Sequence, residues 1–199
     1  MNKLIILLLI TSSISFSQNF NAGVTFGINT SQVSSDNLSG FNKLGIRTGM
    51  FIYHNFNSFL VQTELLYINK GSRENIEAGT YSEGYRFHLN YLELPISLKK
   101  NIYKNIDCEI GLSISYLLNW TEEYNGYEQD GIDINQMEYS AHIGLGKKIL
   151  KNLYFTTRLS NSIFPIRSSS SHKISKWYHG QYNTSISFVL CYLLKYSSL

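Results

Sequence analysis

The stretch "NYLELPISLKKN", residues 90–101, carries the reading of the fold. Leu92, Leu94, Ile96 and Leu98 alternate with Glu93, Pro95, Ser97 and Lys99. A period of two marks a β-strand with two unlike faces. A soluble barrel would turn the leucines inward. A membrane barrel would turn them into lipid and enclose Glu93. Neither can be chosen from this strand alone, because both barrels alternate.

The same alternation recurs along the chain and predicts strands at 20–32, 43–54, 58–69, 87–100, 106–119, 135–149, 152–164 and 181–196. Each is long enough to cross a bilayer at the usual barrel tilt, which takes about 9–11 residues. The segments after the second, fourth and sixth strands are short: "NFN", "NIYKN" and "LKN". The others are long and polar, among them "KGSRENIEAGTYSEGYR", "TEEYNGYEQDGID" and "PIRSSSSHKISKWYHG". Short turns at one end and long loops at the other are the outer-membrane arrangement, with the short turns in the periplasm. Charge follows the same division. Lys99, Lys100, Lys104, Lys147, Lys148 and Lys151 flank the short turns, and Glu74, Glu77, Glu83, Glu122, Glu123, Glu128, Asp130 and Asp133 fall in the long loops.

The first residues read as a leader rather than as fold. Lys3 precedes the apolar run "LIILLLI", and Ser15-Phe16-Ser17 supplies small residues for cleavage, so residues 1–17 are expected to be removed as a signal peptide. Residues 18–199 are then one outer-membrane β-barrel domain. Only 16% of the 199 residues are charged, and there are 15 tyrosines. Ordinary soluble domains carry roughly 25% charged residues. A near balance of 17 basic and 14 acidic side chains gives no support to nucleic-acid binding. Cys108 and Cys191 fall on opposite strand faces and are expected to be free thiols.

Volume decides which face is inside. One face collects Val24, Phe26, Ile28, Ile46, Met50, Leu65, Ile110, Leu112, Ile143, Leu145, Phe188 and Leu190, besides the leucines of the fourth strand. An eight-stranded barrel is only wide enough to be filled by side chains, and these would overfill it. The opposite face holds Gly23, Gly27, Gly45, Gly49, Gly111, Ser113, Gly144, Gly146 and Ser185, which suit a cramped lumen. The chain is therefore expected to be an all-β, eight-stranded antiparallel up-and-down transmembrane barrel with short periplasmic turns and long extracellular loops. Its polar face then encloses Arg47, Glu64, Glu93, Glu109, Glu138, His142 and Arg158, with Lys99, Asp107 and Lys148 nearer the periplasmic rim. These form the candidate lumen network, more plug than pore. Four glutamates against two central arginines imply that at least one carboxyl is protonated or hydrogen-bonded through water. Pro95 lacks a ladder donor and is expected to mark a bulge. Tyr53 and Tyr103 are expected at the periplasmic interface; Tyr67, Trp120, Tyr124, Trp177 and Tyr178 are expected at the outer one.

"LVQTELLYINKG" (60–71), "NYLELPISLKKN" (90–101) and "EIGLSISYLLN" (109–119), after a first strand "AGVTFGINTS" (22–31), resemble the PorT-like outer-membrane β-barrel proteins of Bacteroidetes. Gln62, Glu64, Leu65, Tyr67, Lys70 and Gly71 match the first half of the family's paired motif, and Asn90, Tyr91, Leu92, Glu93, Pro95 and Lys99 the second. The ending "CYLLKYSSL" departs from the usual terminal aromatic, with Tyr196 three residues short. The resemblance implies a barrel in the outer membrane and, for the founding member, a link to the type IX secretion machinery.

No nucleophile motif, phosphate loop or Cys/His metal spacing is present, so no cofactor is expected. His172 and His179 with Ser168–Ser171 are the one rim constellation that could serve a hydrolase, and a solvated loop accounts for them better. "EQDGID" (128–133) lacks the ligand spacing of a calcium loop. The expected partners are outer-membrane lipid, the barrel-assembly machinery during insertion and, through the resemblance, secretion-system components. The expected role is non-enzymatic, structural or in assembly, with porin-like solute passage as the alternative and a rim enzyme as the weakest reading.

Overall fold

The computed structural model describes residues 20–34, 40–74, 84–129, 133–167 and 180–194. Residues 1–17, expected to be a leader, and Glu77, Glu83, Asp130, Ser168–Ser171, His172, Lys173, Lys176, Trp177, Tyr178, His179 and Tyr196 lie outside the described residues.

The strands are β1 (Phe20–Val33), β2 (Lys43–Asn55), β3 (Leu60–Arg73), β4 (Tyr85–Tyr103), β5 (Ile106–Tyr124), β6 (Tyr127–Glu128), β7 (Met137–Leu150), β8 (Leu153–Ser162) and β9 (Asn183–Leu194). Every neighbour pairs antiparallel, and β1 closes on β9 through register pairs such as Phe26↔Leu190. Eight strands thus make a closed barrel, which leaves no free edge. The two-residue β6 is the return arm of a hairpin on β5, turned by Asn125 and Gly126 at φ 52° and 80°. An Asn-Gly pair with both residues left-handed is the favoured two-residue hairpin turn. Lys104 and Asn105, at φ 25° and 69°, make the tight β4–β5 turn at the other end.

Faces are sorted as lipid demands. Leu112 is 61% exposed and Phe26 62%, while Glu109, on the same strand as Leu112, is 2% exposed. In water that pattern would be inside out; in a membrane it hides ionised groups that would cost about 2–4 kcal/mol for Arg or Lys at mid-depth. Small residues make the close strand approach possible. A Cβ on Gly49 would stand 2.1 Å from the Leu65 carbonyl oxygen. Cys108 lies on the outer face and Cys191 in the lumen, both free.

Two expectations about strand regularity are corrected. At Pro95 there is no bulge: β3 and β4 pair from Leu60↔Lys99 to Thr63↔Ile96 and resume at Leu66↔Glu93 without a shift. On its other side Pro95 pairs with Ser113 in unbroken register. The missing donor is absorbed by two skipped pairs. Besides shifts next to the short turns, at Asn101/Tyr103 and Lys148/Leu150, an irregularity lies where Asn90 pairs with Asn119 but Tyr91 pairs with Leu117, so Leu118 is an extra residue. This β-bulge reverses the parity of β5. Below it Ser113, Ser115 and Leu117 are buried; above it Glu122 is buried and Trp120 packs against the core. The strands β3, β4 and β5 also run farther toward the long-loop end than alternation predicts, reaching Arg73, Tyr85 and Tyr124.

Candidate functional site

The lumen is layered along the barrel axis. At the short-turn end lies a cleft of about 180 Å³ lined by Tyr53, Gln62, Lys99, Asp107, Tyr154 and Leu193, among others. Its floor is ionic. Arg47 Nη2 meets Glu64 Oε2 at 3.0 Å, and Arg158 bridges Glu64 Oε1 (Nη2, 2.6 Å) and Glu109 Oε1 (Nε, 2.5 Å). Lys99 Nζ lies 2.9 Å from Glu109 Oε2, and Gln62 Nε2 donates to Glu64 Oε1 at 3.1 Å.

One layer higher a second cluster centres on Lys70. Its Nζ contacts Glu93 Oε2 at 2.8 Å and Glu138 Oε1 at 2.7 Å. Ser115 Oγ donates to Glu93 and Asn183 Nδ2 to Glu138, at 3.1 and 2.6 Å. The Lys70 ammonium also stands 5.4 Å from the centre of the Tyr91 ring. A buried ammonium has three donors to satisfy. Here two carboxylates and an aromatic face surround it.

All seven residues singled out from sequence point inward and are buried: Arg47, Glu64, Glu93, Glu109, Glu138, His142 and Arg158. Six of them take part in ion pairs. His142 does not; its Nε2 hydrogen-bonds Ser97 Oγ at 2.8 Å. Counting Arg47 and Arg158 alone leaves a shortage of cations, and that premise is corrected. Lys70, which alternation places at the start of a loop, belongs to β3 and is 1% exposed. With Lys70 and Lys99, each of the four glutamates has a cationic nitrogen in hydrogen-bonding range. The case for a neutral carboxyl loses its basis.

The long-loop end is closed by an apolar lid. Val33, Ile68, Phe87, Leu89, Tyr91, Leu117, Ile134 and Ile166 form one buried cluster, with Tyr85 and Trp120 packed against it. Over it Arg167 clamps the β8–β9 connection to β4 and β5. Its guanidinium takes both oxygens of Glu122 (Nη1–Oε2 2.5 Å, Nη2–Oε1 3.1 Å), and it sits 4.7 Å from the centre of the Phe87 ring. Arg167 Nε also donates to Gln181 Oε1. Tyr85 OH donates to Glu122 Oε1 at 2.5 Å. Burial opposes the charge on Arg167, but its hydrogen bonds and charge interactions with Glu122 and Tyr85 together outweigh that and hold its pKa above the ordinary value. Glu122 is therefore not a solvated loop acid, and Trp120 is not an interface anchor. Tyr53 likewise lines the inner cleft, whereas Tyr67, Tyr103 and Tyr124 face outward.

Arg167→Ala is expected to lower stability by about 2–3 kcal/mol, the usual worth of a charge-assisted pair together with the carboxylate left behind. Arg167→Lys should recover little, because a single ammonium cannot take both oxygens of Glu122. Urea unfolding in detergent, followed by Trp120 fluorescence in a Trp177→Phe background, measures both.

No group of three or more His, Cys, Asp or Glu side chains placed to hold a metal occurs among the described residues. No curated protein matches the sequence. Among solved structures, Ail, the attachment invasion locus protein of Yersinia pestis, superposes with a TM-score of 0.52 at 10% identity, covering 89% of this chain and 100% of that one. Neisserial surface protein A gives 0.53 at 10% identity, covering 88% and 99%. At such identity the likeness is one of fold: a closed eight-stranded outer-membrane barrel. The family described as outer membrane protein beta-barrel domain matches residues 16–168, and the chain belongs to that family.

Proposed function

We propose that this chain is a non-enzymatic outer-membrane barrel whose role is structural or in assembly and interaction, and that it belongs to the PorT-like branch found in Bacteroidetes. The observation that carries the reading is the filled lumen: two buried ion clusters below an apolar lid occupy the interior. A barrel of this width with its interior occupied offers partners its loops, turns and outer face. The paired motifs of β3 and β4 support the PorT-like assignment, and the leader at residues 1–17 supports export by the Sec route. Association with secretion components is the corresponding proposal for partners.

Reconstituted into planar bilayers, the full chain should show no stepwise conductance. Openings of porin size would overturn the reading in favour of solute passage. Affinity capture from native membranes should recover secretion-system proteins; a barrel recovered alone would remove the secretion role while leaving the structural one. Edman sequencing of the purified mature protein should start near Gln18.

A further inference from the structure

Above the lipid-facing band, the outer surface of β3, β4 and β5 changes character in a fixed order. Tyr67 and Leu92, paired in register, are the last large lipid-facing residues of β3 and β4. Next comes a row of amides, in which Asn69 Nδ2 donates to Asn90 Oδ1 and Asn90 Nδ2 to Asn119 Oδ1, each at 2.5 Å. The row above holds His88, opposite Gly71 on one side and Thr121 on the other. Above that, Arg73 stands directly opposite Arg86.

Like charges directly opposite on neighbouring antiparallel strands repel and destabilise the pair. Arg86 has one acid within reach, Glu123, at a loose 3.8 Å with both side chains well exposed. Arg73 makes no ion pair with any described residue. The field of Arg73 reaches Lys43, and His88 stands in the fields of Lys43, Arg86 and Arg73 against the single carboxylate of Glu123. Arg73, Arg86 and His88 therefore share one outer patch, with the buried Lys43 behind it adding to the positive field, at the height where lipid tails have given way to headgroups. Two adjacent guanidinium forks match the oxygens of a phosphate, which they can take bidentately.

We propose that Arg73 and Arg86, flanked by His88, form a binding site for the phosphate group of an outer-leaflet lipid. The anion relieves the Arg–Arg repulsion, and the lipid's chains lie down the apolar face below Tyr67 and Leu92. The amide row between them supplies donors at the level of the headgroup's sugar or glycerol oxygens.

The test uses the full chain in mild detergent and native mass spectrometry. The probes are monophosphoryl lipid A, the same glycolipid with its phosphate removed, and inorganic phosphate. Wild type is expected to retain the phosphorylated lipid about tenfold better than the dephosphorylated one, as one or two charge-assisted hydrogen bonds imply. R73Q/R86Q should lose that preference, and K147Q/K148Q, which removes equal charge at the opposite end of the barrel, should keep it. Retention of the heat-modifiable gel shift shows that each variant is folded. Equal retention of the two lipids by wild type, or an unchanged preference in R73Q/R86Q, overturns the proposal. So does displacement of the lipid by low-millimolar inorganic phosphate, which would make the patch a site for the free ion.

Discussion

Lys70→Met is expected to destabilise the barrel by about 3–5 kcal/mol, the cost of removing one partner from a buried ionic group. Among the described residues Lys70 is the one cation in contact with both Glu93 and Glu138, and its side chain is 1% exposed. Without it two carboxylates stay enclosed in the lumen with neutral partners, among them Ser115, Asn183 and the Tyr91 hydroxyl. The loss should therefore come from charge left behind more than from charge removed. That distinction is measurable. In the triple variant Lys70→Met/Glu93→Gln/Glu138→Gln most of the stability should return, because replacing a whole buried ion cluster by neutral groups is often close to neutral. Urea midpoints in detergent at constant pH report all three chains. A triple variant as unstable as Lys70→Met would mean that packing around the lysine stem, not charge balance, sets its role. The single variant Glu93→Gln should fall between, since Lys70 keeps Glu138.

Gly71→Ala carries the second large effect and tests the backbone next door. Gly71 has φ +129°, a conformation that L side chains rarely adopt, and a Cβ there would stand 1.9 Å from the Phe87 carbonyl oxygen. The contact is with backbone, so no side-chain rotation can relieve it. Strain of this kind costs about 1–3 kcal/mol, and forcing β3 from β4 adds to it at the lid, where Phe87 is fully buried. A shift of a few tenths of an ångström would also carry Lys70 away from its carboxylates. Gly146→Ala is the matched control. Its nearest neighbour is Thr156 Oγ1 at 3.4 Å, so the change should fall within about 0.5 kcal/mol of wild type. If the two alanine variants unfold at the same urea concentration, the strained position is not a determinant of stability.

Much of this architecture is legible in the sequence because its physics is local. Alternation reports which face a residue takes, and overcrowding reports which face is inside; together they place Glu64, Glu93, Glu109 and Arg158 correctly without any contact information. What alternation cannot report is where it stops applying. Lys70 lies beside Gly71 in "INKGSR", a run that reads as the start of a turn, yet β3 continues through it to Arg73. The cation that completes the upper cluster was therefore hidden by a boundary. Trp120 and Glu122 were hidden by parity, since their strand shifts phase at Leu118. Arg167 lies beyond its strand, at an isolated bridge with Gln181. A proline is visible in sequence and suggests irregularity at residue 95; the bulge at Leu118 has no residue-type signature, for "YLLNW" reads as ordinary strand. The compensation is spatial. Interlocking side chains from six strands decide it.

The extra residue at Leu118 gives the gene an unusual point of sensitivity. Loss of that single codon would leave eight strands, the same turns and nearly the same composition. Every residue of β5 beyond it would nevertheless change sides, taking Trp120 from the lid and Glu122 from Arg167. Gain of a codon a few positions upstream would instead turn Glu109 and Ser115 toward lipid and scramble the ionic floor. Insertions and deletions within this strand are thus unequal in consequence according to which side of residue 118 they fall. Those above it should unseat the cover, and those below it should prevent the barrel from forming. Homologous barrels can therefore be expected to vary freely in loop length at this end while keeping the spacing between their inward glutamates and the bulge.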